Sequence, residues 1–162
     1  MAEYRFRFDC LDAVLLLAMA SEVRSQVDAR SFTEANRVHV PSLRVSLAVR
    51  CRTTQCRMLG LVAKLDGPGG KQIPGMWVIT DRGWAALRGE QVPENVIVFR
   101  NEIQERTEEV ITLREALELN RAKVESAQAR GKKGGTDYRH LLNEYNPATW
   151  VDIEKYGQGH LI

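Results

Sequence analysis

Two stretches of the sequence decide the fold: CRTTQCRMLGLV at residues 51–62 and MWVITDRGWAAL at residues 76–87. The first predicts a short helix that ends at Gly60 and continues directly into a strand, because glycine readily takes the left-handed conformation that closes a helix. The second predicts a strand that ends at Thr80, which caps a following helix. The residues between them, DGPGGKQIPG, are rich in glycine and proline and predict a loop.

The order helix, strand, loop, strand, helix is that of the second half of a winged helix-turn-helix. Upstream, RVHV at residues 37–40 alternates and predicts a short strand. A helix is predicted to open at residues 41–42, with a break at residues 50–52 and Thr53 as the cap of the next helix. One continuous helix over residues 42–59 is the alternative. The predicted fold class is α+β, a winged helix-turn-helix with a C-terminal helical extension.

The segment before this motif predicts one further helix. We expect Asp9 to cap it and Asp12 to add favourable negative charge near the positive end of the helix dipole. Apolar residues at steps of three or four predict one buried stripe along it, which Leu16 and Leu17 widen: Leu11, Val14, Leu15, Ala18, Met19 and Val23.

The second half of the chain predicts a strand, then a long helix. Residues 96–99 read as an apolar strand, and residues 101–106 as an exposed segment or as the second strand of a hairpin. Thr112 followed by Glu115 matches a capping box and opens an amphipathic helix that reaches Ala129. The apolar face of this helix must pack on the domain or on a second subunit.

The C-terminal part predicts a linker and a tail. GKKGG at residues 131–135 has the composition of a flexible linker. A short helix is predicted at residues 137–145, and the aromatic residues Trp150 and Tyr156 after it predict docking on the body or on a partner. The predicted divisions are a winged helix-turn-helix domain (1–106), an amphipathic helix that is a candidate dimerisation element (107–130), and a linker with an aromatic tail (131–162).

Length and composition exclude several classes of protein. The 162 residues fit one domain with an appendage, and the 44 % hydrophobic content can supply a core. The three cysteines have no framework spacing, so we expect no disulfides. No apolar run approaches the roughly 20 residues that a membrane span needs, and the N-terminus has no signal-peptide pattern. We therefore expect a cytoplasmic protein without membrane contact.

Positive charge is concentrated in one segment although the net charge is only +2. Residues 35–65 contain no Asp or Glu. The basic residues of this segment are Arg37, Arg44, Arg50, Arg52, Arg57 and Lys64. A basic segment that coincides with a helix-turn-helix predicts electrostatic contact with DNA phosphates. The alternative interpretation is an ordinary solvated polar face.

The side chains of this segment suit DNA recognition. If helix runs through them, four residues at spacings of 0, 3, 4 and 7 share one outward face: Arg50, Thr53, Thr54 and Arg57. Arginine pairs with guanine, threonine contacts phosphate or the thymine methyl group, and glutamine pairs with adenine. A lysine at the wing tip can contact the DNA backbone. The predicted DNA-binding residues are Arg50, Arg52, Thr53, Thr54, Gln55, Arg57 and Lys71.

A family resemblance points the same way. LGLV at residues 59–62, WVITDRGWAALRGE at residues 77–90, VP at residues 92–93 and VIVFRN at residues 96–101 together resemble winged helix-turn-helix proteins of bacteriophages and prophages. The resemblance covers roughly residues 45–117, and its strand-Thr-x-x-Gly-helix element is shared by many winged-helix regulators. It implies DNA binding and transcription regulation, and it brings no catalytic residues. The linker and the aromatic tail have no counterpart in the pattern.

The sequence groups no residues for catalysis or metal binding. Cys51, Cys56 and His39 could supply three zinc ligands, with Cys10 or His140 as the fourth, but a helical spacing of five puts the thiols of Cys51 and Cys56 on different faces. We interpret the cysteines as small buried residues. No Ser or Cys nucleophile stands beside a base. We therefore predict no enzyme activity, no cofactor and no metal site.

Two functional hypotheses follow from the sequence. In the first, the chain binds double-stranded DNA, regulates transcription and forms a homodimer through the helix that starts after Thr112. In the second, it is a protein-interaction module, a phage-encoded inhibitor or adaptor that binds a host protein complex through residues 131–162. The aromatic tail distinguishes the two hypotheses, because only the second needs it to meet another protein.

Overall fold

The computed structural model describes residues 4–99, 102–132 and 136–153. Its other helices and strands are arranged around the long helix that begins at Cys10. The helices are α1 (Cys10–Gln26), α2 (Phe32–Ala35), α3 (Leu47–Arg50), α4 (Thr53–Met58), α5 (Asp81–Leu87), α6 (Leu113–Ala129) and α7 (Arg139–Glu144). The strands are β1 (Tyr4–Arg7), β2 (Val38–His39), β3 (Val62–Asp66), β4 (Gln72–Ile79), β5 (Val92–Pro93), β6 (Asn95–Phe99), β7 (Glu102–Arg106) and β8 (Val110–Ile111). This content confirms the coarse α+β prediction.

The described strands form small antiparallel sheets. In one sheet the order is β2-β4-β3, so the strand that precedes α3 pairs with the second strand of the hairpin that follows α4. In another the order is β1-β6-β7, and β5 pairs with β8. The pairing of β6 with β7 confirms the predicted hairpin partner of residues 96–99.

The first half of the central helix α1 is enclosed by the rest of the fold, whereas Ser21, Glu22, Arg24 and Ser25 in its second half are exposed. Asp9 caps it as predicted, because its Oδ1 accepts a hydrogen bond of 3.0 Å from the backbone N–H of Leu11. Val14, Leu15, Met19 and Val23 are buried as predicted. The predicted stripe is too narrow for the first half of the helix: residues 12–16 are all buried, and five consecutive residues go right round a helix. The reason is that α2, α3, α4, α5 and α6 all pack against α1.

The segment that leads into α3 differs from the prediction. Residues 41–42 do not open an α-helix, because Val40–Ser42 form a 3-10 turn and α3 begins only after Ser46. The hydroxyl of Ser46 accepts a hydrogen bond of 3.3 Å from the backbone N–H of Val49, which gives α3 the acceptor that a helix start needs. The predicted break before α4 is confirmed, and one continuous helix over residues 42–59 is wrong.

The hairpin after α4 follows the prediction closely. Gly60 has φ of +80° at the end of α4, and Thr80 caps α5 by accepting a hydrogen bond of 3.1 Å from the backbone N–H of Gly83. The second strand is longer than predicted, since Asp66 pairs with Gln72 and extends the ladder to the tip. The predicted loop therefore shrinks to the turn around Pro68–Gly70 and Lys71.

The long helix α6 packs on its own domain. Its predicted capping box is present, with Thr112 and Glu115 bonded reciprocally. Its inward face contacts α1 and α7. The buried residues of this face are Leu113, Ala116, Leu117, Asn120, Val124 and Ala127. Of the two predicted alternatives for the apolar face, packing on the domain is therefore the one that occurs.

The tail folds back onto the body. The Asn120 amide joins α6 to it, donating to the Thr136 carbonyl at 3.0 Å and accepting from the Tyr138 N–H at 2.8 Å. Trp150 is only 6 % exposed, and its ring centroid lies 6.4 Å from that of Trp84 in α5. Leu142, Tyr145, Trp150 and Ile153 of the tail are thus part of the core, so Trp150 docks on the body of the same chain.

Some predicted features fall outside the described residues. These are the final three residues of the predicted linker (133–135), the position of Tyr156, and the residue pair 100–101 before β7. Within the described ranges, none of the helices is long and apolar enough to cross a membrane.

Candidate nucleic-acid interface

Helix α4 has one buried side and one exposed side. Thr53, Cys56 and Met58 are buried, whereas Thr54 and Arg57 are exposed and lie three positions apart. Adjacent turns of a helix bring residues at this spacing together. Thr54 and Arg57 therefore form the part of the predicted outward face that does face outward.

The structure corrects the predicted role of Thr53. This residue is the first of α4 and not its cap, since Arg52 occupies the cap position. The Thr53 hydroxyl donates a hydrogen bond of 2.6 Å to the carbonyl of Arg50, and the residue is 8 % exposed. The predicted face assumed helix throughout residues 50–57, but the chain turns between α3 and α4, and that turn points Thr53 inward.

Gln55 also points into the fold. Its Nε2 donates one hydrogen bond of 2.7 Å to Oδ2 of Asp12 and another of 2.9 Å to the backbone carbonyl of Arg7. These bonds use both protons of the amide nitrogen. The side chain proposed to read adenine is instead committed to α1 and to the end of β1.

Arg52 is held by two carboxylates of the α1 start. Its guanidinium lies 3.0 Å from Oδ2 of Asp9 and 3.8 Å from Oδ2 of Asp12. Together with Gln55 and Cys56 these residues form a cluster between α1 and α4, which we call the Asp12 network. A guanidinium that is paired with the Asp9 carboxylate contributes less to the attraction of an external polyanion.

The Asp12 carboxyl is the electrostatic centre of this network. The residue is fully buried. Burial raises the pKa of Asp12 from 3.8 to about 7, and the Asp9 carboxylate adds to the rise; a backbone hydrogen bond from Asp9 and the charge of Arg52 oppose it. Asp12 was predicted to serve only as a favourable charge near the helix end. The structure gives it a second function, which is to join α4 to α1.

Arg50 and Lys71 are the remaining predicted DNA-binding residues, and neither side chain is buried. Arg50 is half-buried, and one of its guanidinium nitrogens donates a hydrogen bond of 3.2 Å to the carbonyl of Pro41. Lys71 is exposed beside the tip of the β3–β4 hairpin. Three further basic side chains of the acid-free segment are exposed as well: Arg37, Arg44 and Lys64.

The cysteines behave differently from one another. Cys10 and Cys56 are buried as predicted, whereas Cys51 is exposed. Burial raises the pKa of Cys10 to about 12 and that of Cys56 well above its usual value, so both thiols stay protonated near neutral pH. Over the ranges that the structure describes, no group of three or more His, Cys, Asp or Glu side chains is placed to hold a metal ion.

The sequence carried one signal of the Asp12 network that the prediction did not use. Asp12 sits three positions after the cap Asp9, where its carboxylate reaches back to the Asp9 N–H at 3.0 Å, and it is followed by eight apolar residues in a row. An acidic residue in the first turn of a helix, next to a long apolar run, becomes buried when that helix packs in the core. The partners on α4 follow from tertiary packing and have no local signature.

Comparisons with protein-family models, with curated proteins and with solved structures found no match for this chain. The geometry of α4 and of the β3–β4 hairpin is therefore the basis on which a function can be argued.

Proposed function

We propose that this chain is a DNA-binding protein that uses a winged helix-turn-helix, with α4 as the recognition helix and the β3–β4 hairpin as the wing. The observation that carries the proposal is the order of elements. The helices α3 and α4 follow a short strand, a hairpin follows α4, and the short strand pairs with the far strand of that hairpin. A second helix presented beside a hairpin suits entry into the major groove with backbone contact alongside.

The distribution of charge also supports DNA as the partner. Exposed Arg44, Arg57 and Lys64 lie in a segment without acids, and Lys71 extends the positive charge to the wing tip. Phosphate contacts of this kind supply most of the affinity of a DNA-binding protein, and side chains on the recognition helix supply its specificity.

The contacts of α4 narrow the set of residues that meet DNA. Thr54 and Arg57 are proposed to face the groove, with Arg50 and Lys71 on the flanking backbone. Arg52, Thr53 and Gln55 are left out of the proposal, because their side chains are bonded within the fold. A recognition surface of this size is small, so we expect modest specificity per chain.

The biological role proposed is regulation of transcription, as the family resemblance implies. The α6 face predicted to pair two subunits is filled by α1 and α7 of the same chain. The proposal therefore assigns no homodimer to that face. The protein-interaction alternative relied on Trp150 and Tyr156 of the tail, and of these Trp150 packs in the core, where it is not accessible to a partner.

A binding titration tests this proposal. Purified protein is titrated onto labelled duplexes, one of random sequence and one carrying the region upstream of its own gene, at about 50 mM and about 200 mM salt. We expect binding that prefers the upstream duplex and weakens strongly with salt. Absence of binding to either duplex at the lower salt would exclude DNA as the partner.

A further inference from the structure

Two guanidinium groups converge on Gly60, just past the end of α4. Nη1 of Arg82 lies 2.6 Å, and Nη2 of Arg106 lies 3.5 Å, from the point where a Cβ on Gly60 would stand. Gly60 has no side chain, so the space above its Cα is open to both groups. Neither arginine belongs to the recognition helix, and the sequence analysis assigned neither a function.

The two side chains arrive from different parts of the fold. Arg82 lies in the first turn of α5 and donates a long hydrogen bond of 3.4 Å to the carbonyl of Leu59. Arg106 lies on β7 opposite Val96, and residues paired in this way project on the same side of a sheet. Val96 is fully buried, so Arg106 reaches from the inner side of its sheet towards α4.

The positive charge at this point is not neutralised by a carboxylate of the described residues. Arg7, Arg52, Arg88 and Arg139 each form an ion pair with an acid, but no described acid does so with Arg82 or Arg106. Burial and the nearby Arg106 charge both lower the pKa of Arg82. Two like charges held close together cost free energy, and an anion bound between them would offset that cost.

The position of the pair relates it to the proposed recognition helix. Gly60 directly follows Leu59, the cap residue of α4, so the arginine pair stands at the C-terminal end of this helix. Guanidinium groups match phosphate oxygens in both charge and hydrogen-bond geometry. A duplex that lies along the exposed side of α4 would bring backbone phosphates to this point.

We propose that Arg82 and Arg106 form a phosphate-binding site over Gly60 that holds one backbone phosphate of the bound DNA. This inference rests on the proposed function for the source of the phosphate, while the anion chemistry of the site stands on the convergence of the two arginines. The site lies outside the helix and wing contacts already proposed. It anchors the C-terminal end of α4 without reading sequence.

The first arm of the test measures DNA binding. Arg82→Gln, Arg106→Gln and the double variant are titrated onto the same duplexes as the wild type, with Arg130→Gln as a control that removes one exposed positive charge at the far end of α6. We expect each single variant to lower affinity for both duplexes equally and to reduce the slope of log K against log salt by about one. Arg130→Gln should leave both quantities unchanged.

The second arm uses inorganic phosphate as the probe. Thermal unfolding is followed in sodium phosphate and in sodium chloride at matched ionic strength and pH. We expect phosphate to raise the Tm of the wild type above its chloride value, and we expect the double variant to show no such difference. Since the double variant relieves repulsion, its Tm in chloride should not fall below that of the wild type.

The outcomes separate this inference from the proposed function. If the wild type binds DNA and the arginine variants bind it with unchanged affinity and salt slope, the backbone-phosphate site is overturned and the proposed function stands. Suppose instead that the wild type binds no DNA, but phosphate raises the Tm of the wild type and not that of the double variant. The proposed function then fails, and the site binds a free phosphate. If neither arm responds to the substitutions, the anion site is refuted.

Discussion

Gln55 in α4 donates a hydrogen bond of 2.7 Å to the fully buried carboxyl of Asp12 in α1. The bond joins two helices whose residues are far apart in the chain, and Arg52 and Cys56 lie around the same carboxyl. Two of the seven side chains that the sequence predicted to meet DNA, Arg52 and Gln55, therefore hold α4 against α1. The exposed face of α4 therefore presents fewer side chains than predicted, and the opposite face holds the helix to α1.

Replacing Gln55 with Ala should destabilise the fold. The substitution removes a donor from a buried carboxyl, and leaving such a group underbonded costs about 1–3 kcal/mol. Urea denaturation at pH 7 measures the change in the free energy of unfolding. Thr54→Ala is the matched control on the exposed side of the same helix and should change this free energy by less than about 0.5 kcal/mol. Equal effects of the two substitutions would refute the inward role of Gln55.

Stability should fall as the pH rises towards neutrality. Between roughly pH 4 and pH 7 the folded chain keeps a proton on Asp12 that the unfolded chain has released, because burial raises the pKa in the folded state to about 7. The unfolding free energy contributed by this group therefore decreases through that window and levels off above it. Urea denaturation at a series of pH values measures the effect.

The Asp12→Asn variant isolates this contribution from that of other carboxylates. Subtracting its unfolding free energy from that of the wild type at each pH cancels groups that titrate in both proteins. As the pH rises from about 4 to about 7, the unfolding free energy of the wild type should fall by a few kcal/mol relative to that of Asp12→Asn. A difference that stays constant across the window would mean that Asp12 is ionised in the folded state throughout.

The native protein should expose a single reactive thiol. Cys51 is exposed, whereas Cys10 and Cys56 are buried. A colourimetric thiol reagent at pH 8 should modify Cys51 rapidly, and the other two cysteines only when urea unfolds the chain. In Cys51→Ser, rapid labelling of the native protein should disappear. Rapid labelling that persists in this variant would show that the packing of α4 on α1 is looser than described.

Replacing Trp150 with Ala should cost about 3–5 kcal/mol of unfolding free energy. The indole is 6 % exposed, it packs near Trp84, and the guanidinium of Arg24 lies 5.8 Å from its ring centroid. Val151, the next residue, is 51 % exposed, so Val151→Ala is the control and should be nearly neutral. Urea denaturation compares the two. If Trp150→Ala were as mild as the control, the tail would not belong to the core.

The same packing changes how a tail deletion is interpreted. Removing residues 131–162 takes away Leu142, Trp150 and Ile153, which are all buried in the core. Loss of activity in such a truncation would follow from unfolding and would say nothing about a protein partner. Substitutions at exposed positions, such as Val151, are the informative way to examine a partner surface there.

The features that sequence predicted well are local ones. Asp9, Thr80 and Thr112 each cap a helix as predicted, because a cap depends on a side chain and on N–H groups within three residues of it. Gly60 ends α4 for an equally local reason, since its φ of +80° is strained for other residues. These signals placed most of the elements and their order.

The features that sequence missed depend on distant contacts. Whether Arg52 and Gln55 face solvent or the interior is decided by the carboxyl of Asp12, which is some forty residues earlier in the chain. The spacing of α4 residues could not show this, because helical periodicity orders residues around an axis without saying which side is covered. The docking of Trp150 on Trp84 is non-local in the same way.

The most direct test of the account compares Arg57→Ala with Gln55→Ala in two assays, DNA affinity and unfolding free energy. The account predicts that Arg57→Ala weakens binding to the preferred duplex by about 1–3 kcal/mol while stability stays within about 0.5 kcal/mol of the wild type. Gln55→Ala should lower stability and leave the affinity of the folded protein nearly unchanged. The opposite pattern, in which Gln55→Ala abolishes binding at full stability and Arg57→Ala does nothing, would contradict the assignment of the two sides of α4.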